Sequence, residues 1–330
     1  MTIHASVSKT IAQSAIEWLR ANKLIDDSFR IQNTGSKVLI PLKTSSLGIP
    51  PFEIEIQDLA GKKREIKNKP VSARASFDHL GSVAILKIRD INRAVEVAQS
   101  ILHTNASIKS VYLDRGITGR ERIRDLTLLA GDQNYLVTHR ENGLRFMFDL
   151  REVYFSPRLA TERLLLSKRC AESEKVLDMF SGIGPFAITI AKLAGSNVRC
   201  FDLNERCIYW LRKNSSLNGV TEKISMEAGD SATLIESEGK FDRIIMNLPH
   251  SAGEFLSLAM KHLNPGGVIN YYEISNSFEL EKRMEQIRDL GMVITRKRIV
   301  HGYAPGVYMH SLELSIRSGF KPSVFNEDSN

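Results

Sequence analysis

The chain has 330 residues, 42% hydrophobic and 25% charged, the balance of a globular protein too long for one small core. Its net charge of +7 and pI of about 9.2 admit a polyanionic partner such as nucleic acid without requiring one. Cys170, Cys200 and Cys207 lack paired spacing and the eight histidines are scattered, so neither a disulfide framework nor a metal site is expected. No long apolar run marks a signal peptide or membrane span, and the expectation is a cytoplasmic protein with no membrane partner.

Residues 8–23 place Ile11, Ala15, Ile16 and Leu19 at helical spacing, with Ser8 as the expected cap. KVLIPLK reads as a strand and TSSLGIPP as a loop. The charge run GKKREIKNKP reads as a linker, which puts a first boundary near residue 70. SVAILKI and SIKSVYLD then predict strands on either side of an amphipathic helix, INRAVEVAQSILHT. IRDLTLLAG reads as a short helix stopped by Gly131. YLVTHRENGLRFMFDL reads as a hairpin turning at Asn142-Gly143. No repeat or low-complexity segment interrupts this block.

From Glu174 onward strand and helix alternate. KVLDMF, NVRCFDL, ISMEAGD, DRIIMNL and GVINYYEI are separated by FAITIAKLA, ERCIYWLRKNSSLNG and AGEFLSLAMKHL, with FELEKRMEQIRDLG after the last. That pattern predicts an α/β fold with a doubly wound parallel sheet. MVITRKRIVHGYAP and GVYMHSLELSIR have no helix between them and predict a closing antiparallel hairpin.

The strand ends carry the chemistry. DMFSGIGPF sets Asp178 at the first tip, followed by Phe180 and a loop with Gly182 and Gly184. Glycines there permit a tight turn and close approach to a ligand, and the missing lysine disfavours a nucleoside triphosphate. The second strand ends at Asp202-Leu203, the third at Gly229-Asp230, the fourth at Asn247-Leu248-Pro249. A row of polar tips on the carboxyl edge of a parallel sheet suits a nucleotide-bearing ligand. A dinucleotide and S-adenosylmethionine both fit this row. The glycine loop, the Asn-Leu-Pro tip and the terminal hairpin resemble class I methyltransferases. By that resemblance Asp202 holds the ribose, Asp230 the adenine amine, and Asp178 lies near the methionine part. The exocyclic-amine and cytosine-C5 branches lose ground, because no aromatic follows Asn247 and no cysteine lies near it.

VYFSPRLATER, RERIRDLTLLAG, MNLP and KRIVHGYAP together resemble the archaeal and eukaryotic tRNA (guanine-37-N1)-methyltransferase family. The resemblance covers nearly the whole chain and includes AIEWLRANKLIDDSFRI and KVLIPLK, which resemble that family's tRNA-elbow-reading module. It implies a small tRNA-binding module over 1–70, a middle RNA-binding α/β domain over 71–160, and a Rossmann-like cofactor domain over 161–330. It implies S-adenosylmethionine as cofactor, tRNA as partner and a monomer. Glu162 takes the part of general base on guanine N1, Arg122 holds O6, and Asn247 orients the base edge. Arg158 closes the cofactor pocket, whose other contacts are Asp178, Phe180, Gly182, Asp202, Leu203, Asp230, Asn247 and Pro249. The methyl is already activated by the sulfonium, so transfer requires no metal.

Plainer readings stand beside these. Glu162 suits a solvated helix start, Asn247 a turn before Pro249, and Arg120, Arg122 and Arg124 a phosphate-contacting surface. Arg124 is the alternative register for Arg122. Tyr154 and Phe155 read as core or pocket wall, and Tyr303 and Pro305 as pocket lining. His250 is a departure whose role is either contact with tRNA or a helix cap. Two further functions compete: a wybutosine-pathway enzyme acting at the same nucleotide, by methylating a tricyclic intermediate or transferring an aminocarboxypropyl group, and a non-catalytic tRNA-binding protein.

Overall fold

The computed structural model describes residues 2–61, 75–119 and 121–317. The chain divides into two compact units, Met1–Ser72 and Ala73–Asn330. The charge run expected as a linker, beyond Gly61, and the boundary expected near residue 70 lie outside the described residues.

The first unit contains β1 (Thr2–Ser8), α1 (Ala12–Ala21), β2 (Gln32–Thr34), β3 (Lys37–Pro41) and β4 (Glu55–Leu59). Its antiparallel sheet has the order β2-β3-β1-β4. Ala15 and Leu19 of the helix pack with Ala5, Val7, Val38 and Ile40 of the sheet. The helix begins later than its periodicity predicts. Ser8 belongs to β1, opposite Lys37, and its hydroxyl meets that of Thr10. Ile11 occupies the cap position without a side-chain cap bond.

The second unit opens with β5 (Phe77–Leu80), β6 (Val83–Leu86), α2 (Ile91–Thr104), β7 (Ser110–Thr118) and β8 (Ile123–Gly131). The helix α2 spans the residues that its pattern predicts and carries the crossover between the parallel strands β6 and β7. Asp90 caps it, accepting from the amides of Asn92 and Arg93. IRDLTLLAG is not a helix but strand β8, antiparallel to β7. Its leucines resemble a helical stripe, yet the ladder to β7 satisfies its backbone. Gly131 stops no helix; it sits at φ +88°, where an added Cβ would lie 2.0 Å from the carbonyl oxygen of Lys109. Strands β9 (Leu136–Glu141) and β10 (Leu144–Asp149) form the expected hairpin. Asn142 and Gly143 turn it with φ values of +49° and +78°, as a type I′ turn requires.

After α3 (Ala160–Ser167) come the seven strands of the large sheet: β11 (Lys175–Asp178), β12 (Asn197–Asp202), β13 (Ile224–Ala228), β14 (Phe241–Met246), β15 (Leu263–Ser275), β16 (Met292–Ala304) and β17 (Val307–Ile316). Their order is β13-β12-β11-β14-β15-β17-β16, parallel through β15 and closed by the antiparallel β17 and β16. The intervening helices are α4 (Pro185–Leu193), α5 (Glu205–Leu217), α6 (Ser231–Leu234), α7 (Leu256–Lys261) and α8 (Ser277–Asp289). This is the doubly wound sheet with a terminal hairpin that the alternation predicts. The strand order reverses between β11 and β14, the crevice where such sheets bind ligands.

Leu177, Phe201 and Ile244 pack on one face of the sheet, and Val176, Val198 and Ile245 on the other. The second cluster continues through Leu80, Tyr112, Phe146 and Phe155 to Phe186, Tyr272 and Met309. A cut at residue 160 would therefore pass through one apolar core. The middle and cofactor-binding parts form one body, because the small sheet and the β9–β10 hairpin bury their apolar residues with those of the large sheet. Among the described residues no helix is long and apolar enough to cross a membrane.

Candidate active site

The loop after β11 depends on its glycines. Gly182 and Gly184 have φ values of +54° and +86°, and a Cβ on Gly184 would lie 2.1 Å from Leu211 Cδ1. That tight entry into α4 leaves the Gly182 amide free to donate to Asp202 Oδ2 at 2.7 Å. The Asn204 amide donates to the other oxygen at 3.0 Å. Burial pushes the Asp202 carboxyl up, and these two amides oppose the rise. Asp230 accepts from the Ala232 amide at 2.9 Å and caps α6.

A cavity of about 490 Å3 lies over this edge. It is bordered by Phe180, Gly182, Asp202, Leu203, Asp230, Asn247 and Pro249, and by Arg158 and Arg122 from outside the sheet. All the expected cofactor positions except Asp178 thus border one space. Asp178 is 1% exposed, and burial pushes its carboxyl up to about 7. The Phe180 amide restrains that rise without completing a hydrogen bond, and the Asp202 charge adds to it.

The cavity wall suits a nucleoside-bearing ligand. Asn247 Oδ1 and Ser181 Oγ are buried without a hydrogen-bond partner among the described residues, a condition that a bound polar ligand relieves. Asp202 retains acceptor capacity beyond its two amides. These features fit S-adenosylmethionine. Among the described residues no group of three or more His, Cys, Asp or Glu side chains is placed to hold a metal ion. Burial raises all three cysteine thiols, leaving them protonated at neutral pH.

The structure separates the two candidate arginines. Arg122 stands in the β7–β8 turn with φ +58°, half-buried at the cavity, its Cζ 5.9 Å from the Tyr154 ring. Arg124 is 4% exposed. It donates to Asp114 at 2.6 Å, Asp78 at 3.4 Å and the Phe155 carbonyl at 3.1 Å. Its charge is committed to the fold. Arg120 lies outside the described residues. Replacing Arg124 with methionine removes a shared partner of two buried carboxylates, leaving Asp78 with Arg158 at 2.8 Å and Asp114 with the more exposed Lys87 at 3.5 Å, and urea unfolding is expected to show a loss of about 1–3 kcal/mol.

Glu162 is not a solvated helix start: it is 1% exposed. Tyr272 and Ser311 each donate to its Oε1 at 3.0 Å, and Arg298 pairs with Oε2. It does not border the cavity itself. Its seat is one same-face step along β15 and β17 from Ile274 and Met309, which do. Its neighbour Arg163 pairs with Glu141 and ties α3 to β9.

His250 lines the cavity with Tyr303, their ring centroids 6.2 Å apart. Burial and the nearby Arg122 charge lower its basicity, which favours the neutral ring. It caps no helix: Ser251 occupies the cap position of the following turn. Pro305 does not line the cavity; it is exposed in the β16–β17 turn. Tyr154 forms pocket wall, and Phe155 belongs both to the wall and to the core.

Sequence reasoning missed Asp78. It borders the cavity and accepts from Arg158 Nε at 2.8 Å, so the Ser-Pro-Arg motif is anchored on a strand 80 residues upstream. Lys87, Glu121 and His301 also border the cavity. Glu121 and His301 lie in RERIRDLTLLAG and KRIVHGYAP, but nothing in those motifs singles them out, and Lys87 lies outside both.

A family model described as the TRM5/TYW2 methyltransferase domain matches residues 137–297. The chain is 37% identical over 309 residues to a tRNA (guanine(37)-N(1))-methyltransferase, Trm5b, of Pyrococcus abyssi, covering 88% of this chain and 92% of that protein. The crystal structure of that wild-type protein superposes with a TM-score of 0.66 at 33% identity, over 96% of this chain and 100% of the other. A complex of aTrm5 with tRNALeu superposes with a TM-score of 0.66 at 29% identity, over 96% and 100% of the two chains. Trm5 of Methanocaldococcus jannaschii, crystallised with adenosine, superposes with a TM-score of 0.64 at 29% identity, over 95% and 99%. The chain belongs to the tRNA (guanine(37)-N(1))-methyltransferase family, with a methyltransferase domain of the TRM5/TYW2 type.

Proposed function

We propose that the chain methylates N1 of guanine 37 in tRNA, with S-adenosylmethionine as donor. One observation carries this reading: a single cavity joins the polar tips of the large sheet to Arg122, which reaches it from the neighbouring hairpin. A cofactor site alone requires no such arginine. The relatives named for this activity support the choice of substrate.

When bound, the cofactor supplies a methyl group activated by its sulfonium. The chain must supply a nucleophile, since N1 of neutral guanine carries a hydrogen and is a poor one. Glu162 removes that hydrogen: the N1–H bond breaks, an O–H bond forms on the carboxylate, and the pair left on N1 would bond the methyl carbon as the carbon–sulfur bond breaks and its pair returns to sulfur. Arg122 stabilises the negative charge that develops on O6. Asn247 presents its amide to the base edge. The base leaves the anticodon stack to reach the cavity. The Met1–Ser72 unit reads the tRNA by shape and backbone contacts.

Asp178 gives cofactor binding a pH dependence. Its raised carboxyl favours the folded protein fully below the unfolded value of 3.8, and that contribution is lost as pH rises through about 7. A cationic ligand favours the ionised form, so binding below pH 7 is expected to release a proton. Calorimetry in two buffers of different ionisation enthalpy should show the release in the native protein and none in Asp178→Asn.

The substrate assignment is tested by methyl transfer to unmodified transcripts bearing G37 or A37. Transfer only to G37 supports it. Transfer only to a tricyclic precursor moves the chain to the wybutosine branch. Cofactor binding without transfer to any tRNA contradicts the substrate and leaves the cofactor site standing.

A further inference from the structure

Three adjacent strands meet at one level beneath α3. Tyr272 of β15 lies opposite Ser311 of β17, and Ser311 lies opposite Arg298 of β16. All three side chains converge on Glu162, two hydroxyls on one oxygen and the guanidinium on the other. The next same-face pair, Ile274 and Met309, borders the cavity. The spacing between such rows is about 7 Å. The carboxylate is therefore held beside the reaction space.

Among the described residues, the other charged groups that act on Tyr272 are committed elsewhere or have the wrong sign. Arg163 is bound to Glu141, and Arg169 is paired with Glu313 at 3.1 Å. Asp178, the anionic group that Tyr272 senses, disfavours a second negative charge. Two hydroxyl donors do not offset the cost of burying a carboxylate that is 1% exposed. Arg298 supplies the compensating charge. Its side chain is 35% exposed, so it bridges the buried base to solvent.

We propose that Arg298 is the positioning residue of Glu162, keeping it ionised and seated against the sheet until guanine enters. The proposal rests on the methyl-transfer reading above. Without Arg298 the carboxyl favours its neutral form, which removes no proton. An arginine meant only for RNA phosphate would instead change tRNA affinity uniformly across pH.

The test is the pH profile of single-turnover transfer to a G37 transcript, for the native enzyme, Arg298→Met and Arg298→Lys. The acid limb of Arg298→Met is expected to move up by about one pH unit or more, with cofactor affinity unchanged and the limb restored in Arg298→Lys. A rate that falls equally at all pH, with the limb unmoved, overturns the proposal. Unfolding of Glu162→Gln, Arg298→Met and the double variant is measured in parallel. A coupling between the two sites supports the pair, and strict additivity overturns it. If the native enzyme transfers no methyl to N1, the functional reading fails, and the unfolding cycle still decides the pair.

Discussion

Glu162→Gln is expected to slow methyl transfer by about 10²–10⁴-fold while leaving cofactor binding intact. Glutamine is close in shape to glutamate and still accepts from Tyr272 and Ser311, the two donors at Oε1. Arg298 loses its partner but is partly exposed and can turn to water. The fold thus survives the change, and the loss falls on proton removal. Because Glu162 does not border the cofactor cavity, calorimetric titration with S-adenosylmethionine should give the native affinity. A variant that transfers at the native rate would remove Glu162 from the mechanism.

Arg122→Ala is expected to lower transfer by about 10²–10³-fold, the usual cost of losing one donor to a developing oxyanion. The backbone there separates function from fold. Arg122 sits at φ +58°, a conformation that costs a non-glycine residue about 1–2 kcal/mol. Arg122→Gly relieves that strain, so its unfolding free energy should match or exceed that of the native protein while transfer falls as in the alanine variant. Arg124→Met should do the reverse first, losing stability because Asp78 and Asp114 each lose one of their two cationic partners. If Arg122→Gly retained native transfer, the turn would be structural and O6 would need another partner.

Much of the catalytic sheet was legible from its strand tips. Alternating strands and helices force a parallel sheet, and such a sheet places Asp202, Asp230 and Asn247 on one edge whatever the details of packing. The Asn142-Gly143 turn and helix α2 were equally legible, because local chemistry decides both. Strand β8 was not. Leu126, Leu128 and Leu129 fit a helical stripe, and only the ladder to β7 decides against it. Strand β1 escaped because Ala5 and Ser6 are too small to mark a strand; β3 and β4 pair it from both sides.

The site shows the same division. Arg122 and Arg124 are two residues apart, and the motif favours Arg122 only by its alignment, with Arg124 one register slip away. Tertiary structure ranks them, since one meets Asp78 and Asp114 in the interior and the other meets the cavity. Asp78 had no sequence signal, and Arg298 lies in KRIVHGYAP without a role that the motif assigns, because each acts through a partner far along the chain, Arg158 and Glu162 respectively. Side-chain pairs of that span are set by packing and have no local pattern.

The central claim is methylation at N1, and nucleoside mass spectrometry of a G37 transcript incubated with the protein and S-adenosylmethionine tests it most directly. The account predicts one added methyl, located at N1 of guanine 37 and absent with Glu162→Gln. A methyl at any other atom or nucleotide, or an unchanged guanine 37 alongside consumed cofactor, would contradict it.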